Sequence, residues 1–215
     1  MIIDEAQNLP ELFSALQVVV DEHKDYRYIL SGSSDFLLMQ NISQTLAGRV
    51  AVTRLLPLSI SELKEDANID TNTLMWKGFY PGVWGDEKDP GNVYDSYVST
   101  YLQRDVRQIL NIKDLSLFQK FLTIVASRVG NVFIASSIAS ELGVDYKTIQ
   151  SWMSILEISY TAFLLQPFHR NIGKRMTKTP KVYFYDVGLA CHLLGIKNEQ
   201  HIKTHPLRGA ILKTW

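Results

Sequence analysis

The chain has 215 residues, of which 46% are hydrophobic, so it is long enough for one large domain or two small ones and apolar enough to form a packed core. No apolar run reaches the roughly 18 residues needed to cross a membrane, and the opening residues lack the basic and apolar pattern of a signal peptide. The single cysteine excludes an internal disulfide. These features predict a cytoplasmic protein with no membrane partner.

The net charge of zero hides an asymmetry along the chain. Residues 1–100 contain 7 Lys and Arg against 15 Asp and Glu, whereas residues 101–215 contain 15 against 7. Such a division favours two modules with different partners, and the basic half is the one suited to nucleic acid. The alternative is that the two halves of one protein dock on each other.

Short apolar runs and helical periodicity alternate over the first 58 residues. This alternation predicts a parallel sheet with crossover helices. The predicted order is a strand at residues 2–3, a helix at 10–22, a strand at 27–31, a helix at 35–45 and a strand at 50–56.

Beyond residue 58 the pattern is mainly helical. A capping box at residues 59–62 predicts a helix start, and the Gly- and Pro-rich stretch 78–92 predicts a loop. Further helices are predicted at 93–110, 115–129, 136–142, 146–157 and 188–194, and a hairpin from 160–165 and 182–185. The pair 136–142 and 146–157, broken at Gly143, has helix–turn–helix spacing. The predicted inward face of its second helix is Tyr146, Ile149, Trp152, Met153 and Leu156.

Polar side chains follow the first two predicted strands. The order apolar strand, Asp4, Glu5 is that of a Walker B segment, in which the Asp holds Mg²⁺ through water and the Glu polarises the attacking water. Ser31 and Ser33, at the tip of the next strand, occupy a sensor position where a hydroxyl can reach the γ-phosphate. A Ser/Gly turn that caps a helix is the alternative. Arg49 is either an arginine finger, a charge clamp or an ordinary surface arginine.

The helix–turn–helix and its hairpin together predict a winged-helix domain. Its outward helix face would offer Lys147, Thr148, Gln150 and Ser151 to a major groove. The turn at 169–181 has five Lys and Arg and no acid, so it could contact phosphates. Its candidate residues are Arg170, Lys174, Arg175 and Lys178. The alternative is a module that packs against protein, since the outward face has one Lys and no Arg.

The motifs IIDEAQ, ILSGSS, LAGRV and LLPLSISE, followed by FYPGVW, YVSTYLQRDVRQILNIKDL and KVYFYDVGLACHLLGI, occur in this order. Over residues 1–212 the chain resembles the AAA+-like predicted P-loop ATPases of bacteria and archaea that carry a C-terminal domain of unknown function. The resemblance implies ATP and Mg²⁺ as cofactors and ATP hydrolysis coupled to a DNA- or protein-associated role.

Two elements of that family are missing from these residues. The chain has no G-x-x-x-x-G-K-[ST] phosphate-binding loop, and it stops where a nuclease-like segment would begin. We therefore expect a fragment that is inactive by itself, or, as the alternative, a non-enzymatic winged-helix adaptor for DNA or protein.

The expected fold class is α/β, a truncated P-loop NTPase sheet followed by a mostly helical connector and a winged helix–turn–helix domain. The expected boundaries are 1–58 for the ATPase core, 59–114 for the connector, 115–196 for the winged helix and 197–215 for a truncated C-terminal segment. In such a sheet the phosphate-loop strand lies between the strands at 27–31 and 50–56. Its absence predicts that these two strands pair directly, or that a second copy fills the gap in a homo-oligomer.

Overall fold

The structure, a computed structural model, describes residues 1–32, 35–63, 69–85, 88–102, 114–168 and 178–214. The chain divides into two compact units, an N-terminal unit (Met1–Leu55) and a C-terminal unit (Leu56–Trp215). Each unit has a buried hydrophobic cluster of its own.

The N-terminal unit is a small α/β layer. Its elements are strand β1 (Ile2–Ile3), helix α1 (Pro10–Glu22), strand β2 (Ile29–Leu30) and helix α2 (Asp35–Thr45). Pro10 suits the first turn of α1, where its missing N–H would have had no helical partner. The core of the unit consists of side chains from the two helices and the segments beside them: Ala6, Phe13, Leu16, Ile42 and Leu46. The two helix predictions and the first strand prediction are confirmed, while the second strand is shorter than predicted.

The third predicted strand is wrong. Residues 50–56 have no strand conformation, and the apolar side chains of Val50, Val52 and Leu55 are exposed. A strand exists through hydrogen bonds to a neighbour, and in the described part of the chain the strand that pairs with β2 is β1. Direct pairing of residues 27–31 with 50–56 is therefore also wrong.

The first part of the C-terminal unit has more helix than the sequence predicted. Helices α3 (Thr71–Lys77), α4 (Pro81–Trp84) and α5 (Pro90–Ser96) are followed by a π-helix at Tyr97–Leu102. The predicted loop at 78–92 is wrong for residues 81–84 and 90–92, because prolines at the first position of α4 and α5 start helices rather than breaking them. The predicted helix 93–110 begins earlier, at Pro90, and its residues 103–110 lie outside the described ranges.

The capping box at Ser59 is present but starts only a short turn. The Glu62 carboxylate accepts a hydrogen bond from Ser59 N at 2.7 Å. The turn is a 3₁₀ helix that covers Ile60–Glu62. It ends there because Leu63 already has an extended backbone.

The rest of the C-terminal unit follows the predicted order. It consists of helices α6 (Leu115–Ser127), α7 (Ala135–Leu142) and α8 (Tyr146–Ile158), strands β3 (Ala162–Leu165) and β4 (Lys181–Phe184), and helices α9 (Val187–Leu193), α10 (Glu199–Thr204) and α11 (Arg208–Leu212). Gly143 ends α7 with a positive φ of 67°, a conformation that favours glycine. Helices α10 and α11 were not predicted.

The inward face of α8 is close to the predicted one. Ile149, Trp152, Met153 and Leu156 are buried, and Ile155 is buried as well. Tyr146 was predicted to point inward and is instead exposed, because it is the first residue of the helix and lies at its open end.

Strands β3 and β4 form an antiparallel hairpin, which confirms that prediction. Val132, between α6 and α7, forms an isolated antiparallel bridge with Lys181 on β4. The bridge is flanked by hydrogen bonds from Phe133 N to Pro180 O at 2.8 Å and from Val182 N to Asn131 O at 3.1 Å. The described part of the chain is thus mostly helical, with two small sheets. None of the helices within the described ranges has the length and apolar character that a membrane crossing requires.

Candidate functional site

The ends of β1 and β2 bring two predicted site residues together. The strands are parallel, with Ile2 opposite Ile29 and Ile3 opposite Leu30, so Asp4 and Ser31 follow neighbouring strand ends. Ser31 Oγ donates a short hydrogen bond to Asp4 Oδ1. We call the group Asp4, Glu5, Gln7, Ser31 and Gly32 the strand-end corner.

The backbone turns sharply at Glu5. This residue has φ 51° and ψ 38°, a left-handed conformation that non-glycine residues seldom adopt and that recurs at functional sites. Glu5 N donates to Asp4 Oδ1 at 3.0 Å, and Ala6 N donates to Ser31 O at 3.0 Å. The turn therefore ties both strand ends together and leaves the carboxylates of Asp4 and Glu5 exposed.

Hydrogen bonds within the corner favour the ionised form of the Asp4 carboxylate. The hydrogen bond from Ser31, followed by that from Glu5 N, holds the pKa of Asp4 below its usual value. An exposed, ionised carboxylate at a strand end is suited to a hydrated divalent cation.

Gln7 belongs to the corner, although the sequence analysis did not single it out. Its side chain is only 7% exposed, and its Nε2 donates to Glu5 Oε2 at 2.6 Å. Its Oε1 has no hydrogen-bond partner among the described residues. A Cβ at Gly32 would overlap this oxygen, so the glycine permits the close approach. No local sequence pattern points to this role, because it depends on how the turn at Glu5 folds back on the strand ends.

The residues of the corner fit the two expected cofactors unequally. Asp4 fits Mg²⁺ held through water, although no group of three His, Cys, Asp or Glu gathers anywhere in the described part as a metal site. The triphosphate does not fit this chain alone, because the sequence has no glycine-rich loop whose amides and lysine could hold the phosphates.

Arg49 lies away from the corner. Its guanidinium forms a bidentate ion pair with Asp21, with Nε at 2.6 Å from Oδ1 and Nη2 at 2.9 Å from Oδ2. Asp21 is about three turns along α1 from Pro10. The structure thus pairs Arg49 with a helix carboxylate and does not bring it to Asp4. Ser33, the remaining predicted site residue of this unit, lies outside the described residues.

The predicted nucleic-acid residues of α8 differ in exposure. Lys147, Gln150 and Ser151 are exposed, whereas Thr148 is half-buried. Lys178, at the end of the turn between the hairpin strands, is exposed. The other predicted contacts in that turn, Arg170, Lys174 and Arg175, lie outside the described residues.

A groove of about 500 Å³ runs along α8. We call it the α8 groove. Its lining residues come from α8, the segment before and at the start of α7, and the hairpin: Tyr146, Gln150, Met153, Ser154, Glu157, Phe133, Ile134, Ala135, Ser136, Leu164, Thr179 and Pro180. The groove is mainly apolar on its hairpin side and carries amides and hydroxyls on its α8 side.

A buried carboxylate that the sequence analysis missed organises another part of the C-terminal unit. Asp186 precedes α9 and accepts hydrogen bonds from Leu189 N at 2.7 Å, Phe79 N at 2.6 Å and Tyr94 Oη at 2.7 Å. Burial raises the pKa of Asp186, while the hydrogen bonds act in the opposite direction. Because Asp186 joins the segment after α3, helix α5 and the start of α9, its role is to hold these elements together.

Comparison with known proteins agrees with the division of the chain. Residues 1–64 match the family model of an AAA domain, and residues 70–200 match that of a domain of unknown function, DUF8612. The first match and the strand-end corner define an AAA-like segment. The second match spans more than half of the residues, and the chain therefore belongs to the DUF8612 family.

The similar proteins are themselves uncharacterized. Uncharacterized proteins of Mycobacterium tuberculosis and Mycobacterium bovis are each 31% identical over 211 residues, which cover 97% of this chain and 47% of theirs. An uncharacterized protein of Haemophilus influenzae is 23% identical over 189 residues, covering 80% of this chain and 47% of its own. The chain thus spans about half the length of the curated relatives that it matches.

Proposed function

We propose that this chain is part of an AAA-type ATP-binding protein and that the strand-end corner is the hydrolytic side of its nucleotide site. In this proposal Asp4 holds Mg²⁺ through water, and Glu5 accepts a proton from the attacking water. Ser31 would face the γ-phosphate, and Ser33 is proposed for the same role from its place in the sequence alone. Bound Mg²⁺ and ATP would supply the charge neutralisation and the phosphoryl group.

The observation that carries this proposal is the pairing of Asp4 with Ser31 at neighbouring strand ends. The acidic residue of one strand and the hydroxyl of the next meet at the carboxyl edge of a parallel pair, where ligands of α/β sheets bind. The match of residues 1–64 to an AAA domain supports the same class of function.

The ion pair between Arg49 and Asp21 favours the charge clamp among the roles considered for this arginine. As an arginine finger it would first have to leave this carboxylate. We therefore propose Arg49 for a structural role within the N-terminal unit and base no catalytic role on it.

The test needs a polypeptide that joins a phosphate-binding loop to residues 1–64. The DNA upstream of the codon for Met1 should be read for such a loop in frame, and the longer polypeptide assayed for phosphate release. We expect Glu5→Gln to lower turnover by about 10²-fold or more and to leave ATP binding intact. Asp4→Asn should weaken the dependence on Mg²⁺. Turnover that neither substitution changes would contradict the proposed roles.

The N-terminal unit also supports association with a second copy. Ile29 N bonds to Met1 O and Ser31 N to Ile3 O, so the alternate peptide group, that of Leu30, points away from β1. A groove of about 470 Å³ is lined by residues of β2, α1, α2 and 49–53. We propose that a strand from a second copy can occupy it.

Sedimentation at micromolar concentration tests this association. We expect the parent chain to be a dimer and the Val52→Lys variant to be a monomer. A monomeric parent chain would contradict the proposal.

The second candidate function is that of a non-enzymatic winged-helix adaptor. The observation in its favour is the order of elements, with helix α6, the Val132 bridge, helices α7 and α8, and the β3–β4 hairpin. Three helices, an isolated bridge and a two-stranded hairpin in this order are typical of a winged helix. The candidate DNA contacts are Lys147, Thr148, Gln150, Ser151, Arg170, Lys174, Arg175 and Lys178.

A salt titration tests the DNA form of this candidate. Replacing Lys174, Arg175 and Lys178 together with Ala should weaken binding to all duplex sequences and flatten the salt dependence by about one log unit per lost contact. An unchanged slope would argue against contacts from the hairpin turn. If the parent chain does not bind DNA at low salt, the adaptor would act on protein.

A further inference from the structure

We propose that the α8 groove binds an amphipathic helix of a partner protein, with apolar side chains on one face of that helix and acidic residues beside them. The inference names a partner for the winged-helix candidate and rests on that candidate for the context of the groove. It is independent of the nucleotide site in the N-terminal unit.

The surface of the groove is that of a protein-binding site. Met153 and Phe133 form buried parts of its wall. At its rim Ile134 is 48% exposed and Tyr146 is 46% exposed. Large apolar side chains that stay exposed around a groove gain stability when a partner covers them.

The described lining of the groove offers no cationic group to a phosphate, although exposed lysines adjoin it in the chain. Among the described residues that line the groove there is no Lys or Arg, and their one ionic group is the carboxylate of Glu157. Phosphate contacts require cationic groups, whereas a carboxylate repels them. Gln150, which the sequence analysis predicts as a contact in a DNA major groove, also lines this groove.

The length of the groove matches a helix. Its α8 wall extends from Tyr146 to Glu157, which is about 16 Å along the helix axis. Three turns of a partner helix cover this length and present anchors at positions i, i+4 and i+7.

A strand is a poorer occupant than a helix. Within the hairpin, Tyr185 N donates a hydrogen bond to Thr161 O. Residues of an antiparallel strand alternate between bonding to the partner strand and facing away from it, so the N–H and C=O groups of Leu164 point to the outer edge of β3. The N–H of Leu164 is already taken by the Glu157 carboxylate at 3.2 Å. An added strand would lose this donor, whereas a helix satisfies its own backbone groups.

The charges around the groove favour acidic flanks on the partner. Lys147, Lys178 and Lys181 are exposed, and each is next in the chain to a lining residue. Glu157 carries one negative charge against these three lysines, and its carboxylate already accepts a hydrogen bond from the hairpin backbone. Acidic residues beside the apolar face would therefore speed association and fix the orientation of the helix.

Selection from a library of random 16-residue peptides displayed on phage, with the full chain as bait, tests the proposal. We expect enriched peptides to carry apolar residues at i, i+4 and i+7 with Asp or Glu beside them. The double variant Ile134→Ser, Tyr146→Ser should bind a synthetic enriched peptide at least about tenfold more weakly. The matched control is Leu165→Ser, which removes an apolar side chain of similar exposure (52%) outside the lining and should leave affinity within about twofold.

Duplex DNA of 20 base pairs is titrated alongside the peptide, and melting curves check that the variants stay folded. No enrichment, or enriched peptides that bind the double variant as well as the parent, would overturn the proposal. Loss of DNA binding in the same double variant would show that the groove is a nucleic-acid surface. DNA binding that depends on Lys178 and not on Ile134 or Tyr146 would leave both the winged-helix candidate and this site standing. Peptide binding without any DNA binding would reject only the DNA form of that candidate.

Discussion

Two aspartates, one in each unit, follow apolar strands and accept hydrogen bonds from a hydroxyl and from backbone N–H groups. Asp4 follows β1 and pairs with Ser31 and Glu5 N. Asp186 comes two residues after β4 and pairs with Tyr94, Phe79 N and Leu189 N. Asp4 remains exposed, whereas Asp186 is almost completely buried.

The difference in burial reverses the effect of the protein on the two carboxyl groups. Hydrogen bonding lowers the pKa of Asp4, and burial raises the pKa of Asp186 despite its larger number of hydrogen-bond donors. A strand followed by Asp is thus compatible with a ligand site or with a structural joint. What decides between them is whether other elements cover the strand end, as α5 and the segment after α3 cover Asp186.

The largest effect that separates the two residues is on stability. Asp186→Ala removes the shared acceptor of three buried donors, and we expect it to lower the free energy of unfolding by about 3–5 kcal/mol. Asp4→Ala, the matched control, should have little effect, because its donors can turn to water. Urea denaturation followed by tryptophan fluorescence measures both. If both substitutions lowered the free energy of unfolding equally, the distinction between a structural role for Asp186 and a ligand-site role for Asp4 would be wrong.

Glycines beside the two aspartates sharpen the same comparison at a smaller scale. A Cβ at Gly188 would lie 2.7 Å from Gly78 Cα, a backbone atom that cannot yield without moving the chain. A Cβ at Gly32 would overlap side-chain atoms of Gln7 and no backbone atom among its nearest neighbours. We expect Gly188→Ala to cost about 3 kcal/mol and Gly32→Ala about 1 kcal/mol. Thermal melts of the two variants test the order, and a greater loss for Gly32→Ala would contradict it.

Local patterns were sufficient to predict α1, α2, α6, α7, α8 and the hairpin. Each has a boundary signal within a few residues, such as Pro10 for α1 or Gly143 for α7, together with a regular apolar face. Residues 50–56 failed because a strand also needs a neighbour, which no local pattern supplies. Residues 78–92 failed because Pro81 and Pro90 were interpreted as loop residues, when a proline at the first helical position starts a helix.

The contents of the candidate site were predictable only where sequence order implies proximity. Parallel neighbouring strands bring their ends together, and this was enough to place Asp4 near Ser31. The burial of Gln7 against Gly32 depends on how the turn at Glu5 folds back. Asp186 bonds to Phe79 N across 107 positions of the chain, a separation that nothing near either residue signals.

The acid dependence of stability gives a smaller contrast. The ion pair with Arg49 lowers the pKa of Asp21, so the stability from this carboxylate is present above its unfolded pKa of about 4 and is lost as pH falls through the folded value. Asp186 has a raised pKa, so its protonated form stabilises the folded state. This stability is present at low pH and is lost as pH rises through the pKa that Asp186 has in the folded protein. We expect Asp21→Asn to flatten the loss of protection in α1 below pH 4. Hydrogen exchange of α1 amides between pH 2 and 6 measures this, with Asp186→Asn as the variant that should leave α1 unchanged.

The smallest expected effect concerns ATP hydrolysis by this chain, where we expect no difference between the parent and a Glu5→Gln variant. Asp4 and Glu5 are exposed and correctly ordered, but these residues alone cannot position a triphosphate, and the sequence has no phosphate-binding loop to do so. We therefore expect phosphate release at saturating MgATP to be indistinguishable between the parent chain and Glu5→Gln. The comparison with Glu5→Gln removes contaminating ATPases, since both preparations carry them equally. Turnover that Glu5→Gln abolishes would show that the strand-end corner works without that loop, and the open carboxylate of the N-terminal unit would then be a complete site in itself.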